Sequence, residues 1–284
     1  MNCTVAKSAG FCFGVKRAVE QVYQCVEESY VPVYTFGPII HNEEVIKELE
    51  EKGVRMINDM EEAERLHEGI LIIRSHGVSK AVYDQLSKTG LTLKDATCPF
   101  VKRIHELVAN HSAQGETIVI IGDPKHPEVQ GISGWSSAKR TYILNSKEEA
   151  NAFKTEKSEK VCIVSQTTYN YNKFQELVEI ITKKGYDINV INTICNATQE
   201  RQTEAVSLAR QSDAMIVIGS LTSSNTAKLY ELCKKECANT YYIQTIDDLD
   251  VSKIQKFHSV GITAGASTPN KLIEEVQKYV RNEL

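Results

Sequence analysis

Three cysteines occupy equivalent places in three similar stretches. Cys12 lies in GFCFGVKRAVE and Cys98 in ATCPFVKRIHE, so both open the pattern Cys-x-x-Val-Lys-Arg, with Val15, Lys16 and Arg17 matched by Val101, Lys102 and Arg103. Cys195, in NTICNATQERQTEAVSLAR, opens a similar polar-to-amphipathic stretch without Val-Lys-Arg. The separations are 86 residues (12 to 98) and 97 residues (98 to 195), each close to a third of the chain. Three copies of one unit fit this spacing. Three thiolates meeting at one centre suit either an iron-sulfur cluster or a cysteine-rich zinc site, since both metals take soft sulfur ligands. Three protein ligands leave one position open, which is the mark of a catalytic metal. In a 4Fe-4S cubane, the open position is one iron that can take a substrate oxygen as a Lewis acid.

Polar residues recur with the cysteines. His41-Asn42-Glu43, His126-Pro127-Glu128 and Ser223-Ser224-Asn225 begin 29, 28 and 28 residues beyond them (41 from 12, 126 from 98, 223 from 195). Further on, at offsets of 63 to 72 residues, come Ser75-His76-Gly77, Ser165-Gln166-Thr167-Thr168 and Ala264-Gly265-Ala266-Ser267. His41, His76, His126, Thr167, Ser223, Ser224, Asn225 and Ser267 thereby form a set of neutral or switchable hydrogen-bond donors. Several open helices, whose free N–H groups favour an anion, so a phosphate or diphosphate is the natural occupant. An anion can also hold a histidine protonated. Taken singly, each Ser or Thr reads as a helix cap and each His as an ordinary surface or core residue. Repeat position sets these apart from His67, His105, His111 and His258, which match no repeated site and keep the ordinary reading. Glu128 is the carboxylate placed to hand on protons. Glu43 holds the equivalent place in the first unit, so for both residues a helix N-terminal carboxylate is the competing reading.

The elements follow from periodicity. Val15, Val19, Val22 and Val26, or Val101, Ile104, Leu107 and Val108, give one apolar helical face after a cysteine. Next come strand-like runs at 32–36, 117–122 and 214–219, each ending at a polar cluster. Alternating strands and helices predict parallel α/β sheets, which collect ligands at the carboxyl ends of their strands. Strands at 91–94 and 187–191 close units one and two and lead into the next cysteine, whereas unit three closes with a helix at 268–282. The N-terminal strand, about 2–6, also leads into a cysteine and is expected to complete the third unit's sheet. The expected domains are 1–97, 98–193 and 194–284, related by a pseudo-threefold axis around a central cluster.

Composition limits the alternatives. At about 150 residues per domain, 284 residues alone suggest two domains, and the repeat replaces this with three. Lys plus Arg is 33 against 37 Asp plus Glu, a net charge of −4 that disfavours a nucleic-acid partner. Apolar runs such as ILII are too short for a membrane span, and MNCTVAKSAG has no apolar leader, so a cytoplasmic location is expected. The eight cysteines include no Cys-x-x-Cys pair and should stay reduced. Cys3, Cys25 and Cys162 read as core, Cys233 and Cys237 as packed or partly exposed thiols, and the glutamate-rich stretches 43–51 and 61–68 as solvated helix faces.

The segments GFCFGVKRAVE, HGVS, DATCPFVKR, KHPEVQG, SQTT, GSLTSSNTAKL and TAGASTP together resemble the 4-hydroxy-3-methylbut-2-enyl diphosphate reductases, from about residue 9 to 282. The resemblance implies one 4Fe-4S cluster on Cys12, Cys98 and Cys195 within three α/β domains. It also implies diphosphate binding by His41, His76, His126, Ser223, Ser224, Asn225 and Ser267, a substrate contact from Thr167, and Glu128 as proton donor. The implied reaction is a reductive dehydroxylation to isopentenyl or dimethylallyl diphosphate, with reduced ferredoxin or flavodoxin as electron donor. By the same reading, the Val-Lys-Arg missing from unit three concerns helix packing alone. A zinc hydrolase of a phosphorylated metabolite, with Glu128 as base, and a non-catalytic iron-sulfur sensor are the alternatives.

Overall fold

The computed structural model describes residues 2–282. The chain opens with β1 (Asn2–Val5) and α1 (Phe13–Glu28). The next segment supplies β2 (Val33–Phe36), α2 (Glu43–Glu51), β3 (Arg55–Ile57), α3 (Met60–Glu64), β4 (Ile70–Ile73), α4 (Lys80–Leu86) and β5 (Thr92–Asp95). After α5 (Pro99–Ala113) come β6 (Thr117–Ile121), α6 (Pro127–Ser133), β7 (Thr141–Leu144), α7 (Lys147–Ala152), β8 (Lys160–Ser165), α8 (Tyr171–Thr182) and β9 (Asp187–Val190). The last third holds α9 (Asn196–Arg210), β10 (Ala214–Ile218), α10 (Ser224–Glu236), β11 (Thr240–Ile243), β12 (Ser259–Ala264) and α11 (Asn270–Asn282).

These strands form three four-stranded sheets, ordered β3-β2-β4-β5, β7-β6-β8-β9 and β11-β10-β12-β1. Every pairing is parallel. Each sheet has its second strand at one edge, its first and third strands in the middle, and at the other edge a strand that leads into a cysteine. In the third sheet β1 fills that place, in register with β12 from Asn2↔Ser259 to Val5↔Ile262. By compactness the chain forms two units. One holds residues 2–16, 40–48 and 196–282, including the third sheet; the other holds 17–39 and 49–195, including the first two.

The central strands ILII, TIVII and AMIVI are buried along their whole length, as parallel strands covered on both faces must be. Side-chain alternation divides each between two cores. In the second sheet Val119, Ile121, Val161 and Ile163 pack with Phe174, Leu177 and Ile181 of α8. On the other face Ile118, Ile120, Cys162 and Val164 pack with Ile104 and Val108 of α5 and Ile132 of α6. The third sheet repeats this: Ile216, Ile218 and Ile262 meet α11, while Met215 and Val217 meet Ala205, Leu229 and Cys233. Cys25, Cys162, Cys233 and Cys237 are buried, and burial pushes the Cys233 thiol up to about 12. Cys3 is only half-buried, at the margin of the third sheet's core. Among the described residues no helix is long and apolar enough to cross a membrane.

Candidate active site

Cys12, Cys98 and Cys195 sit in loops that follow edge strands β1, β5 and β9 and precede helices α1, α5 and α9. All three are half-buried and outside disulfides. Each is fixed by one recurring bond from its backbone N–H to a carbonyl beyond the neighbouring strand. Cys12 donates to Ala266 at 3.2 Å, Cys98 to Ser75 at 2.9 Å and Cys195 to Thr167 at 3.0 Å. The acceptors are the polar sites that the sequence aligns. Cys12 and Cys98 also accept the first helical bonds, from Lys16 and Lys102, and Pro99 starts α5 at a position that needs no N–H donor. Cys98 makes no capping bond through sulfur.

The second set of polar clusters opens α2, α6 and α10. Asn42 Oδ1 accepts from Val45 N–H at 3.1 Å, His126 Nδ1 from Glu128 N–H at 3.1 Å and Ser223 Oγ from Thr226 N–H at 3.3 Å. The cap reading holds for Ser223, and His126, which reads from sequence as an ordinary surface or core residue, also caps its helix, with a chemical consequence. With Nδ1 accepting, the proton of a neutral ring lies on Nε2, which makes that nitrogen a donor. The His126 and His76 rings meet edge to face with centroids 5.4 Å apart. In the other unit, Ser267 Oγ donates to the His41 carbonyl at 2.8 Å. Ser224, between Ser223 and Asn225 in sequence, is half-buried, and Asn225, 5% exposed, has neither amide atom hydrogen-bonded to any described residue. A buried amide without partners carries a free-energy penalty that a polar ligand would remove.

Glu128 and Glu43 differ sharply. Glu128 is 2% exposed and accepts two bonds from Thr167, the backbone N–H at 2.6 Å on Oε1 and Oγ1–H at 2.7 Å on Oε2. Glu43 lies at the surface, accepting from Ser220 and Thr222 at 2.9 and 3.0 Å and from Gln244 at 3.1 Å. Burial opposes its charge, but these hydroxyls and the nearby His41 hold its carboxyl below the usual range. Glu43 is a tether at a helix start.

Two arginines that sequence reasoning assigned no role in the site hold the cysteine loops. Arg17 of α1 donates through Nη2 to the carbonyl of Thr97, the residue before Cys98. Arg201 of α9 donates through Nε to Ser8 O at 2.8 Å and through Nη2 to Gly10 O at 2.7 Å, just ahead of Cys12. Glu204, one helical turn on, accepts the Lys7 and Ser8 N–H groups at 2.8 Å. The loss of Val-Lys-Arg from the third repeat is thus more than a matter of packing, because Arg201, one place later after its cysteine, supplies the same kind of clamp. Lys102 of the second repeat pairs with Asp95 at 2.8 Å, and Asp95 accepts Thr97 N–H at 2.9 Å. Although burial opposes charge on Asp95, Lys102 and Thr97 hold its carboxyl below the ordinary value. Behind His76, Gly77 has φ +71°, and a Cβ there would lie 2.7 Å from His105 Cε1. His105 itself stacks on Trp135 at 5.0 Å, and Trp135 Nε1 donates to Val78 O at 2.9 Å.

A family model described as LytB protein matches residues 3–281. The chain belongs to the LytB family. It is 46% identical over 284 residues to the LytB relative from Caldanaerobacter subterraneus subsp. tengcongensis named 4-hydroxy-3-methylbut-2-enyl diphosphate reductase, covering 99% of this chain and 97% of that one. A relative of the same name from Clostridioides difficile is 43% identical over 282 residues, covering 99% and 100%. Two solved LytB-like structures resemble it. One, described as (E)-4-hydroxy-3-methyl-but-2-enyl diphosphate reductase, the terminal enzyme of the non-mevalonate pathway, aligns with a TM-score of 0.73 at 39% identity over 99% of this chain and 100% of that one. The other, the E-1-hydroxy-2-methyl-but-2-enyl-4-diphosphate reductase from Plasmodium falciparum, aligns with a TM-score of 0.92 at 30% identity over 99% and 87%.

Proposed function

We propose that this LytB chain is an iron-sulfur reductase that converts 4-hydroxy-3-methylbut-2-enyl diphosphate, two electrons and two protons into isopentenyl or dimethylallyl diphosphate and water. Cys12, Cys98 and Cys195 would hold one 4Fe-4S cluster, and their chemistry fits: three half-buried thiols outside disulfides, each held by its N–H at the end of an edge strand. That recurring N–H to carbonyl bond is the observation that carries the reading, because it gives the three thiols one local backbone setting. When bound, such a cluster would pass electrons from an external donor to the substrate and act as a Lewis acid toward its hydroxyl.

The protein's own residues bind the diphosphate and move protons. His126 presents Nε2–H, Asn225 offers an amide that has no partner of its own, and Ser223 and Ser224 lie at the start of α10, where unpaired N–H groups favour an anion. His41, His76 and Ser267 complete the proposed anion set. Glu128, when protonated, donates to Thr167 Oγ1, which passes its own proton toward the substrate; Thr167 then donates back to the carboxylate, the arrangement seen at 2.7 Å. Reduced ferredoxin or flavodoxin would supply electrons.

Anaerobically purified protein is expected to contain iron and sulfide and to turn over the diphosphate with a strong one-electron reductant. Cys98→Ser should lose the brown absorbance and most of the iron. Protein without iron and sulfide, or an iron-loaded chain that leaves the diphosphate unchanged, would overturn the reading.

A further inference from the structure

The second sheet carries another group of ligating side chains at the ends of its strands opposite Glu128 and Thr167. His111 lies in the last turn of α5, Glu116 immediately precedes β6, and Cys162 stands on β8 beside Ile118, the second residue of β6. One ligand atom from each of the three lies within 4.8 Å of the other two. Glu128 and Thr167, in contrast, follow the carboxyl ends of β6 and β8.

The group is built before any ligand arrives. Past the end of α5, Gly115 adopts φ +83°, and the chain turns so that Glu116 N–H donates to His111 O at 3.2 Å. This brings Glu116 Oε2 to 2.8 Å from His111 Nδ1, with the two side chains 13% and 19% exposed. Cys162 is fully buried against Ile104, Val108 and Ile118. Burial, together with the Glu116 carboxylate, pushes its thiol up to about 12, so in the metal-free site it stays protonated. A divalent cation reverses that balance, since a coordinating thiol loses its proton outright and the carboxylate becomes an ally.

We propose that His111, Glu116 and Cys162 bind one borderline-soft divalent cation, Zn²⁺ by its chemistry, with water in the fourth position. One sulfur, one imidazole nitrogen and one carboxylate oxygen form a set that zinc accepts, whereas the thiolate disfavours Mg²⁺ and Ca²⁺. Tetrahedral bonds of about 2.0 Å to N or O and about 2.3 Å to S separate ligand atoms by roughly 3.3–3.6 Å. The His111–Glu116 contact therefore opens slightly and Cys162 closes in, by side-chain rotation. Binding exchanges the S–H proton for the metal, releases that proton to water at the half-exposed edge and involves no electron transfer. The ion ties the end of α5 to strand β8. Because residues 111, 116 and 162 share no recognisable ligand spacing, His111 and Cys162 read as ordinary residues from sequence alone.

The test uses the full chain with its cluster loaded under anaerobic conditions, passed over a chelating resin and titrated calorimetrically with ZnCl2. One equivalent should bind, and zinc X-ray absorption should show a single sulfur among lighter neighbours. His111→Gln and Glu116→Gln, at the half-exposed edge, should each weaken binding at least tenfold while iron content and sulfide remain those of the parent; Cys162→Ala should remove the sulfur. Zinc affinity equal in the parent and in the His111→Gln/Glu116→Gln double variant would overturn the site. So would bound zinc with no sulfur neighbour, or with three. Because iron is read separately, loss of zinc binding and loss of the reductase cofactor are distinguishable.

Discussion

Glu43 and Glu128 hold equivalent places in two repeats, yet their partners give them different chemistry. Glu43, at the surface, accepts from two hydroxyls and an amide, whereas Glu128 is buried against the Thr167 hydroxyl, which can relay its proton. Glu128→Gln should retain the brown absorbance and lower turnover by about 10² to 10⁴, the usual worth of a placed general acid; near-parent turnover in a steady-state assay would remove Glu128 from proton delivery. Sequence could not separate the two glutamates, because the deciding partners stand 39 and 177 residues away. His105 gives a second residue-scale expectation. Burial depresses its pKa from 6.5 to about 4, with Asp95 opposing the shift and Lys102 adding to it. The folded state thus binds fewer protons than the unfolded state between those values, so the stability is full above about pH 6.5 and falls as pH drops toward 4, by roughly 3 kcal/mol at most. Urea unfolding across that range should show the loss in the parent and much less of it in His105→Phe; equal pH slopes would mean that His105 is not held neutral.

At the scale of elements, the helix after a cysteine has a second task besides packing. Arg17 reaches from α1 to the Thr97 carbonyl, and Arg201 reaches from α9 to the loop ahead of Cys12. Thr97 is 3% exposed, so without Arg17 its carbonyl loses a charged donor where water has little access. Arg17→Ala is expected to cost about 1–3 kcal/mol, and to loosen Cys98 enough that iron is lost faster to a chelator than from the parent. Unchanged chelation kinetics would confine Arg17 to packing. Repetition of Cys-x-x-Val-Lys-Arg showed that the motif mattered. What its arginine does depended on a carbonyl 80 residues away, which no local pattern displays. The apolar strands, in contrast, were legible throughout, since ILII, TIVII and AMIVI are the runs that a sheet covered on both faces requires.

For the molecule as a whole, the three sheets share one strand order only because the last of them takes its fourth strand from the start of the chain. The sequence showed this indirectly: units one and two end in a strand before a cysteine, unit three does not, and a spare strand precedes Cys12. That strand does two things at once. It pairs four residues of β12, and it delivers the chain to Cys12, whose N–H donates to Ala266 just beyond β12. Deleting residues 1–6 should therefore expose the backbone edge of β12, promote association through that edge and lower the melting temperature. It should also reduce bound iron to the level of a Cys12→Ser variant, although Cys12, Cys98 and Cys195 are all retained. Iron analysis of the soluble fraction separates the two effects. A truncated chain that melts early but keeps its full iron would show that β1 stabilises the third sheet without placing Cys12, and that the loop held by Arg201 and Glu204 suffices on its own.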